Sequence, residues 1–276
     1  MKIFYCKNFK EKNKYLKYQY SEKNLTTERL ERMKLIKEQD KRERFLMSEF
    51  ITMELLERMY GIKEPKIRGK AGEKPWVNQI EKINFSRSYA DENLVVAIEV
   101  DYPIGVDCAT IMPKDDKVME YFFTKEEKDY VASADDKDLA FTVIWTRKES
   151  YMKYTGEGMM MQFQLLNTAP EDFDNDHVDT VSSKLISEAK LENSQKIEGC
   201  YVKKDDTFVE NHSLFLKSFV VNNTVISVTG EEPSMRKIAY QEKRTYEEKN
   251  NRLFWKNSQN LFEKNSSDGS HDKTDL

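Results

Sequence analysis

The sequence predicts a mixed α and β fold, because stretches with a helical apolar stripe alternate along the chain with short apolar runs typical of strands. Its 276 residues correspond to roughly two domains of ~150 residues each. With 38% hydrophobic residues the chain can bury a core, and with only 9 glycines and 6 prolines it is neither collagen-like nor a glycine- and proline-rich disordered chain.

The first hundred residues alternate between strand-like and helical composition. An apolar stripe recurs at three- and four-residue steps from Leu30 to Tyr60 and stops at Gly61, which predicts amphipathic helix ended by a glycine. The predicted elements are, in order, an N-terminal strand with a solvated loop (2–24), a helical region (26–60), a positively charged loop (61–82) and two strands (83–86 and 94–100).

The second half begins with a strand that carries Asp107 near its end and continues into helices. Gly156 and Gly158 are expected to end the last helix, because glycine tolerates a left-handed backbone. The predicted segments are a strand (104–107), helices (115–156), an acidic loop (167–180), strands (200–202, 213–219 and 224–228), one exposed helix (231–264) and a disordered tail (266–276).

Charge is distributed unevenly along the chain. The formal net charge is −4, but residues 1–74 carry 20 Lys and Arg against 12 Asp and Glu, so this front is +8 and the remainder −12. The bulk charge does not favour a nucleic-acid binder, whereas the basic front indicates an anionic ligand in that region.

Cysteine usage and hydropathy predict a soluble, cytoplasmic protein. The three cysteines are widely spaced and form neither a disulfide framework nor a zinc motif. The N-terminus lacks the apolar core of a signal peptide, and no apolar run approaches the ~20 residues of a membrane helix. The three histidines are expected at the surface, and neither a nucleophile elbow nor a P-loop is present, so these hydrolase and nucleotide-binding motifs are excluded.

Asp107 and the segment 145–153 are the strongest candidates for chemistry. A predicted strand fixes the Asp107 carboxylate, and a nearby glycine lets a ligand approach it. Glu149 and Lys153 are i and i+4 on the predicted helix and therefore share one face. Such a pair is also a common surface ion pair, and spacing alone leaves both interpretations open. The apolar neighbours on this helix favour a buried setting, in which a metal ion and a phosphate would be the partners of Lys148, Glu149 and Lys153.

The order of these segments resembles the signature of the 4'-phosphopantetheinyl transferases, in the larger monomeric class that activates surfactin synthetase. Together the matching pieces cover about residues 26–165. They are Arg44-Phe-Leu-Met-Ser-Glu, Glu73-Lys74-Pro75, Asn84-Phe-Ser86-Arg87-Ser88, Ile104-Gly-Val-Asp107, Phe122-Phe-Thr-Lys-Glu-Glu127 and Trp145-Thr-Arg-Lys148-Glu149 with Lys153.

The resemblance implies an α+β fold of two similar α/β halves related by a pseudo-twofold axis, with coenzyme A in the cleft between them. The halves would be residues 1–102, on the nucleotide side, and 103–230, with the metal and catalytic motifs, followed by a charged extension over 231–276. The implied reaction is the Mg²⁺-dependent (or Mn²⁺-dependent) transfer of 4'-phosphopantetheine from coenzyme A to a serine of an apo acyl or peptidyl carrier protein, releasing 3',5'-ADP. The implied protein is a cytoplasmic monomer without nucleic-acid or membrane partners.

The resemblance also implies roles for individual residues. Asp107 and Glu149 would bind the metal, and Glu149, directly or through water, would help to deprotonate the acceptor serine. Lys153 would neutralise or protonate the departing phosphate, and Lys148 would contact the pyrophosphate. The residues expected around the nucleotide and its 3'-phosphate are Arg44, Lys74, Ser86 and Arg87.

Two positions depart from the family pattern. Ala109 stands where the family has an acidic metal ligand, so either a water, oriented by Ser88, replaces that ligand or metal affinity falls. Arg87 replaces the usual histidine and should bind phosphate with less pH dependence, because a guanidinium is always charged. Ala109 motivates an alternative hypothesis, a coenzyme A- or carrier-protein-binding protein on the same fold that does not turn over. A third hypothesis, a helical scaffold that uses the charged tail, does not explain Asp107.

Overall fold

Two four-stranded sheets packed face to face form the centre of the protein, and each has a long helix on its outer face. The computed structural model describes residues 1–6, 9, 20–77, 82–157, 163–169, 179–180, 200–204, 207–211, 214–221, 223–231 and 239–242. The mixed α and β class predicted from the sequence is confirmed.

The α-helices of the described residues end at Thr155, short 3₁₀ helices cover Glu22–Asn24 and Phe163–Leu165, and strands occur throughout the described chain. The helices are α1 (Thr27–Leu35), α2 (Gln39–Tyr60), α3 (Asp116–Phe122), α4 (Lys125–Ser133) and α5 (Lys137–Thr155). The strands are β1 (Lys2–Cys6), β2 (Ile67–Arg68), β3 (Trp76–Val77), β4 (Ile83–Ala90), β5 (Asn93–Val100), β6 (Ile104–Thr110), β7 (Leu166–Asn167), β8 (Asp179–Thr180), β9 (Cys200–Lys204), β10 (Thr207–Asn211), β11 (Leu214–Val221), β12 (Thr224–Glu231) and β13 (Ala239–Glu242).

The first sheet has the order β13-β1-β5-β4 and is buried on both faces. Successive side chains of a strand point to opposite faces, so β5 divides its residues between two cores. Leu94, Val96 and Ile98 join the cluster that includes α2, whereas Val95 and Ala97 pack toward the second sheet. This double burial explains why the apolar run in β5 is nearly continuous.

The second sheet has the order β6-β12-β11-β8 and approaches α5 closely. A Cβ built on Gly105 would lie 1.9 Å from the carbonyl oxygen of Ser150, so only a glycine fits at this contact. Hydroxyl pairs join the same helix and sheet, with Oγ1 of Thr146 2.8 Å from Oγ of Ser227 and Oγ of Ser150 2.8 Å from Oγ1 of Thr229. Small side chains thus let α5 lie against β6 and β12.

Two predicted helix ends are confirmed by the backbone geometry. Gly61 follows α2 with φ = 69°, and Gly156 follows α5 with φ = 80°, both in the left-handed region. At the opposite end of α5 the Asp136 carboxylate accepts a hydrogen bond from the Leu139 amide at 2.9 Å. These caps fix where the long helix that carries Glu149 begins and ends.

Two sequence predictions are wrong. Asp107 was expected near a strand end, but β6 continues to Thr110 because its whole length pairs with β12. The single helix expected over 231–264 is contradicted at 239–242, which form β13 and pair in parallel with β1. The high charge of this segment favoured the prediction of an exposed helix. The pairing of β13 with β1 joins distant parts of the chain, so the local sequence carries no signal for it.

Several further predictions lie outside the described residues, namely Gly158, the three histidines, most of the acidic loop and the chain beyond residue 242. The pseudo-twofold relation and the division at residues 102 and 230 stay predictions. No helix in the described ranges combines the length and the apolar character needed to cross a membrane.

Candidate active site

A cleft of about 630 Å³ lies between α5 on one side and α1, α2 and β4 on the other. Its walls therefore come from residues that are far apart in the sequence. Five of the residues predicted for the site line it, namely Lys74, Ser86, Arg87, Glu149 and Lys153.

Asp107 is tied to α5 by an ion pair at the edge of this cleft. Nζ of Lys153 lies 2.5 Å from Oδ1 of Asp107, and the Ser88 hydroxyl donates to the same oxygen at 2.7 Å. Burial acts to lower the pKa of Lys153, but the charge and the hydrogen bond of Asp107 outweigh it, so this pKa is raised. Lys153 is therefore a firmly charged ammonium in the site.

Glu149 is a half-buried carboxylate with an altered proton affinity. Burial and the neighbouring charge of Asp107 raise its pKa to about 7, and Lys153 offsets only part of this rise. No hydrogen bond to its carboxylate is made by the described part of the chain. Near neutral pH such a group can accept a proton and can equally bind a cation.

Lys74 connects the loop before β3 to the end of α5. Its Nζ donates to the carbonyl oxygen of Tyr154 at 2.9 Å, and a Cβ on Gly156 would lie 3.4 Å from the Lys74 Cβ. Burial lowers the pKa of Lys74 to about 8. This lysine therefore lies in the cleft with a charge that depends on pH in the mildly alkaline range.

Ser86 connects the two sheets at the floor of the cleft. Its Oγ accepts a hydrogen bond of 2.9 Å from the backbone amide of Val106, so an edge strand of the first sheet is joined to β6. The hydrogen bond that Ser88 donates to Asp107 joins the same two strands beside this contact. Ser86 thus has a structural partner in addition to its place in the cleft wall.

Arginines gather at the end of the cleft formed by α1, α2 and β4. Arg29 and Arg87 both donate to Oε1 of the buried Glu49, and Arg32 lines the cleft beside them. Sequence reasoning placed Arg87 here and missed Arg29 and Arg32. Their signal was available, because two arginines three residues apart on a helix of the basic front share one face.

Arg44 does not line the cleft. Its Nε donates to the Asp40 carboxylate at 2.7 Å, one of its Nη atoms donates to the carbonyl oxygen of Asp91 at 2.8 Å, and its guanidinium lies 5.9 Å from the centre of the Tyr89 ring. Tyr89 itself lines the cleft. Arg44 therefore lies against the Tyr89 ring without lining the cleft itself.

Lys148 lies in the interior, away from the cleft lining. Its side chain is fully buried, and its Nζ is 2.8 Å from Oε2 of Glu127. It also donates to the carbonyl oxygens of Phe163 at 2.8 Å and Leu166 at 2.6 Å. Burial lowers its pKa, and the Glu127 charge opposes this effect. The structure therefore gives Lys148 a set of protein partners in place of a pyrophosphate.

Glu149 lines the cleft and Asp107 lies at its edge, so these two carboxylates are the candidates to hold a metal ion. No cluster of three or more histidine, cysteine or acidic side chains suited to a metal occurs in the ranges that the structure covers. Mg²⁺ takes one or two carboxylates and completes its shell with water and substrate phosphate, so this oxygen pair fits it. Ala109 has only a methyl side chain and therefore offers no further metal ligand.

Comparison with known proteins finds the same family that the sequence motifs resemble. Residues 103–204 match the sequence model of the 4'-phosphopantetheinyl transferase superfamily. The 4'-phosphopantetheinyl transferase psf-1 of Bacillus pumilus is 30% identical over 120 residues, which are 42% of this chain and 51% of the relative. The transferase gsp of Aneurinibacillus migulanus is 33% identical over 120 residues (42% and 49%), and Sfp of Bacillus subtilis strain 168 is 24% identical over 141 residues (50% and 62%). The chain spans about half the length of the first of these relatives. The resemblance predicted from the motifs is confirmed.

Proposed function

We propose that this chain, which resembles the 4'-phosphopantetheinyl transferases, moves 4'-phosphopantetheine from coenzyme A to a serine of an apo acyl or peptidyl carrier protein and releases 3',5'-ADP. One observation carries the proposal. Arginines of α1 and β4 line one side of a single cleft, and Glu149 and Lys153, the latter paired with Asp107, line the facing side on α5. Coenzyme A has a matching division, with a 3'-phosphate at the nucleotide end and a reactive pyrophosphate further along.

Magnesium is the metal that these donors suit. Asp107 and Glu149 would hold it, and Mg²⁺ would neutralise charge on the pyrophosphate oxygens during transfer. The Asp107 carboxylate has one oxygen, Oδ1, that accepts hydrogen bonds from Lys153 and Ser88. No hydrogen bond from a described residue reaches Oδ2, which is therefore available to a cation. Mn²⁺ prefers similar oxygen ligands and should substitute.

The residues of the chain supply proton transfer and charge. Glu149, whose pKa lies at about 7, accepts the proton of the carrier serine directly or through water. The serine oxygen bonds to the phosphorus that bears pantetheine, and the bond from that phosphorus to the bridging oxygen breaks. The electron pair leaves with 3',5'-ADP, and Lys153 balances the charge on this departing phosphate.

The cationic end of the cleft holds the nucleotide. Arg87 lines it and carries over from the family motifs, and Arg32 adds a further cation. Lys74, which also carries over, lines the cleft beside the end of α5. Ser86 also lines the cleft. In this proposal Arg44 acts only through the Tyr89 ring, against which its guanidinium lies. Lys148 supports the fold through its buried ion pair with Glu127 and does not contact the ligand.

The test is a transfer reaction with purified components. Apo carrier protein, coenzyme A and Mg²⁺ should give a carrier whose mass has increased by one phosphopantetheine group, measured by intact-protein mass spectrometry. Fatty-acid, polyketide and nonribosomal-peptide carriers are tested side by side, because the carrier class is not encoded in the cleft. Absence of transfer to all three with either Mg²⁺ or Mn²⁺ would falsify the proposal.

The alternative function is binding of coenzyme A or a carrier protein without turnover. Ala109 favours it, because strand alternation places position 109 on the same face of β6 as Asp107 and no carboxylate stands there. Coenzyme A binding in the absence of any transfer would support this alternative.

We place the activity in the cytoplasm and assign it to a monomer, as the resemblance implies. Cys108 is buried and is not in a disulfide bond, which suits a reducing compartment.

A further inference from the structure

We infer that Glu49 is a positioning residue that braces Arg29 and Arg87 and thereby makes the cleft select ligands that carry a terminal phosphate monoester. The inference rests on the proposed function, because the 3'-phosphate of coenzyme A is such a group. It assigns a role to a buried carboxylate that touches neither the reacting atoms nor the solvent.

The brace consists of one carboxylate oxygen that serves two arginines. Glu49 lies on α2 with its side chain fully buried, and its Oε1 accepts from Nε of Arg29 at 3.0 Å. The same oxygen accepts from a terminal guanidinium nitrogen of Arg29 and from one of Arg87. Because α1, α2 and β4 each contribute one partner, the three side chains fix the relative positions of these elements around the cleft.

Arg29 acts as a support inside this arrangement. It is 1% exposed, and besides the two bonds to Glu49 it donates to the carbonyl oxygen of Gly69 at 3.0 Å. Its guanidinium is thus occupied by the protein and has little surface to offer to a ligand.

Arg87 is held in place but keeps donors for a ligand. It donates to the carbonyl oxygen of Ser48 at 3.0 Å, to Oγ1 of Thr52 at 3.1 Å and to Glu49. A guanidinium has five N–H groups, so two remain that no described residue engages. Arg32 also lines the cleft and makes no ion pair with a described residue.

The charge balance of the cluster favours a dianion. Three guanidinium groups, those of Arg29, Arg32 and Arg87, face one carboxylate, which leaves two positive charges. A phosphate monoester carries about −1.5 to −2 at neutral pH and would neutralise them. The pKa of Arg87 is lowered to about 10, mainly by burial, and that of Arg32 is lowered by burial and by Arg29, as expected for a site short of negative charge.

The decisive variant removes the brace and keeps the net charge. Arg29→Gln combined with Glu49→Gln deletes one positive and one negative charge, so the two positive charges of Arg32 and Arg87 persist. Binding of coenzyme A and of 3'-dephospho-coenzyme A, which lacks the one phosphate monoester of the molecule, is measured by calorimetry without metal. The wild type should prefer coenzyme A, and this preference should fall about tenfold in the double variant, since charge-assisted hydrogen bonds of this kind contribute a factor of that order.

Two controls separate positioning from folding. Lys125→Gln with Asp129→Asn removes an exposed ion pair far from the cluster and should leave the preference unchanged. Glu49→Asp keeps the charge on a shorter side chain and should retain a larger part of the preference than the double variant. If circular dichroism shows that the double variant does not fold, Glu49→Asp provides the test. A ligand preference as large as that of the wild type in Glu49→Asp would count against the brace.

The outcomes distinguish the inference from the proposed function. A folded double variant with the wild-type preference for coenzyme A overturns the role of Glu49 and leaves the transferase proposal standing. A wild-type protein that binds coenzyme A no better than 3'-dephospho-coenzyme A overturns the inference, because the cleft then has no site that selects the 3'-phosphate, and the transfer reaction decides the proposed function separately.

Discussion

Nζ of Lys153 lies 2.5 Å from Oδ1 of Asp107 and joins α5 to β6 at the edge of the cleft. The Ser88 hydroxyl meets the same oxygen from β4. Three elements that are distant in sequence therefore converge on one carboxylate. Because the lysine is fixed in this pair, its charge is positioned before any substrate arrives, which would reduce the reorganisation that the proposed phosphoryl transfer requires.

Replacement of Glu149 by Gln should abolish transfer while the protein stays folded. The amide is nearly isosteric but cannot accept the serine proton, and it binds a cation more weakly. At pH 8 the ionised carboxylate is desolvated beside Asp107, so its removal should leave the melting temperature unchanged or slightly higher. Mass spectrometry of the carrier and thermal unfolding test both expectations, and full turnover by the variant would remove Glu149 from the mechanism.

Replacement of Ala109 by Glu should lower the Mg²⁺ concentration that gives half-maximal transfer. Gly105, Asp107 and position 109 lie on one face of β6 because successive side chains of a strand alternate, and Gly105 contacts Ser150 of α5, so position 109 faces the same helix as Asp107. A third carboxylate would add a metal ligand.

The control for this change is Ala109→Gln, which has similar size without charge. Activity gained only by the Glu variant from an inactive parent would favour the binding-protein alternative for the natural chain. An unchanged Mg²⁺ dependence in both variants would show that position 109 does not reach the metal.

Local signals in the sequence predicted the helix ends and the candidate metal ligands, but not the partners of the charged side chains. Gly61 and Gly156 end helices because their own backbone adopts the left-handed region. Lys148 pairs with Glu127 across α4 and α5, a contact that no spacing within α5 could reveal. The arginine cluster and β13 depend in the same way on how distant segments pack.

Replacement of Lys148 by Met should destabilise the protein by about 3–5 kcal/mol, because Glu127 would keep a buried charge without its counter-ion. Adding Glu127→Gln should recover most of the loss, and transfer activity should follow the folded fraction. Chemical denaturation of the single and double variants measures this, with the exposed Lys125→Met as a control expected within about 0.5 kcal/mol of wild type.

The same variants test the role that the family resemblance implied for Lys148. If its ammonium bound the pyrophosphate, the double variant would be stable but inactive. Retained activity in the folded double variant would assign Lys148 to the support of residues 163–169, whose carbonyl groups it contacts.

Coenzyme A binding should weaken as pH rises above about 8 because Lys74 loses its proton there. An anionic ligand favours the charged lysine, so binding should raise this pKa and take up a proton between pH 8 and the ordinary lysine range. Calorimetry in two buffers of different ionisation enthalpy measures the uptake. Lys74→Arg stays charged and should show neither the uptake nor the loss of affinity, and a wild-type profile in this variant would exclude Lys74 as the titrating group.

Replacement of Gly105 by Ala should prevent α5 from reaching its place against β6. The new Cβ would lie 1.9 Å from the Ser150 carbonyl oxygen and 2.5 Å from the Tyr154 amide nitrogen, and both are backbone atoms that cannot rotate away. The helix would have to move outward, which would separate Lys153 from Asp107 and impair folding and transfer together. Gly61→Ala is the matched control, because it meets no atom within 4 Å and carries only the cost of a left-handed backbone, about 1–2 kcal/mol. Thermal unfolding should therefore rank wild type above Gly61→Ala and Gly61→Ala well above Gly105→Ala, and equal stability of the two variants would contradict the close packing of α5 on β6.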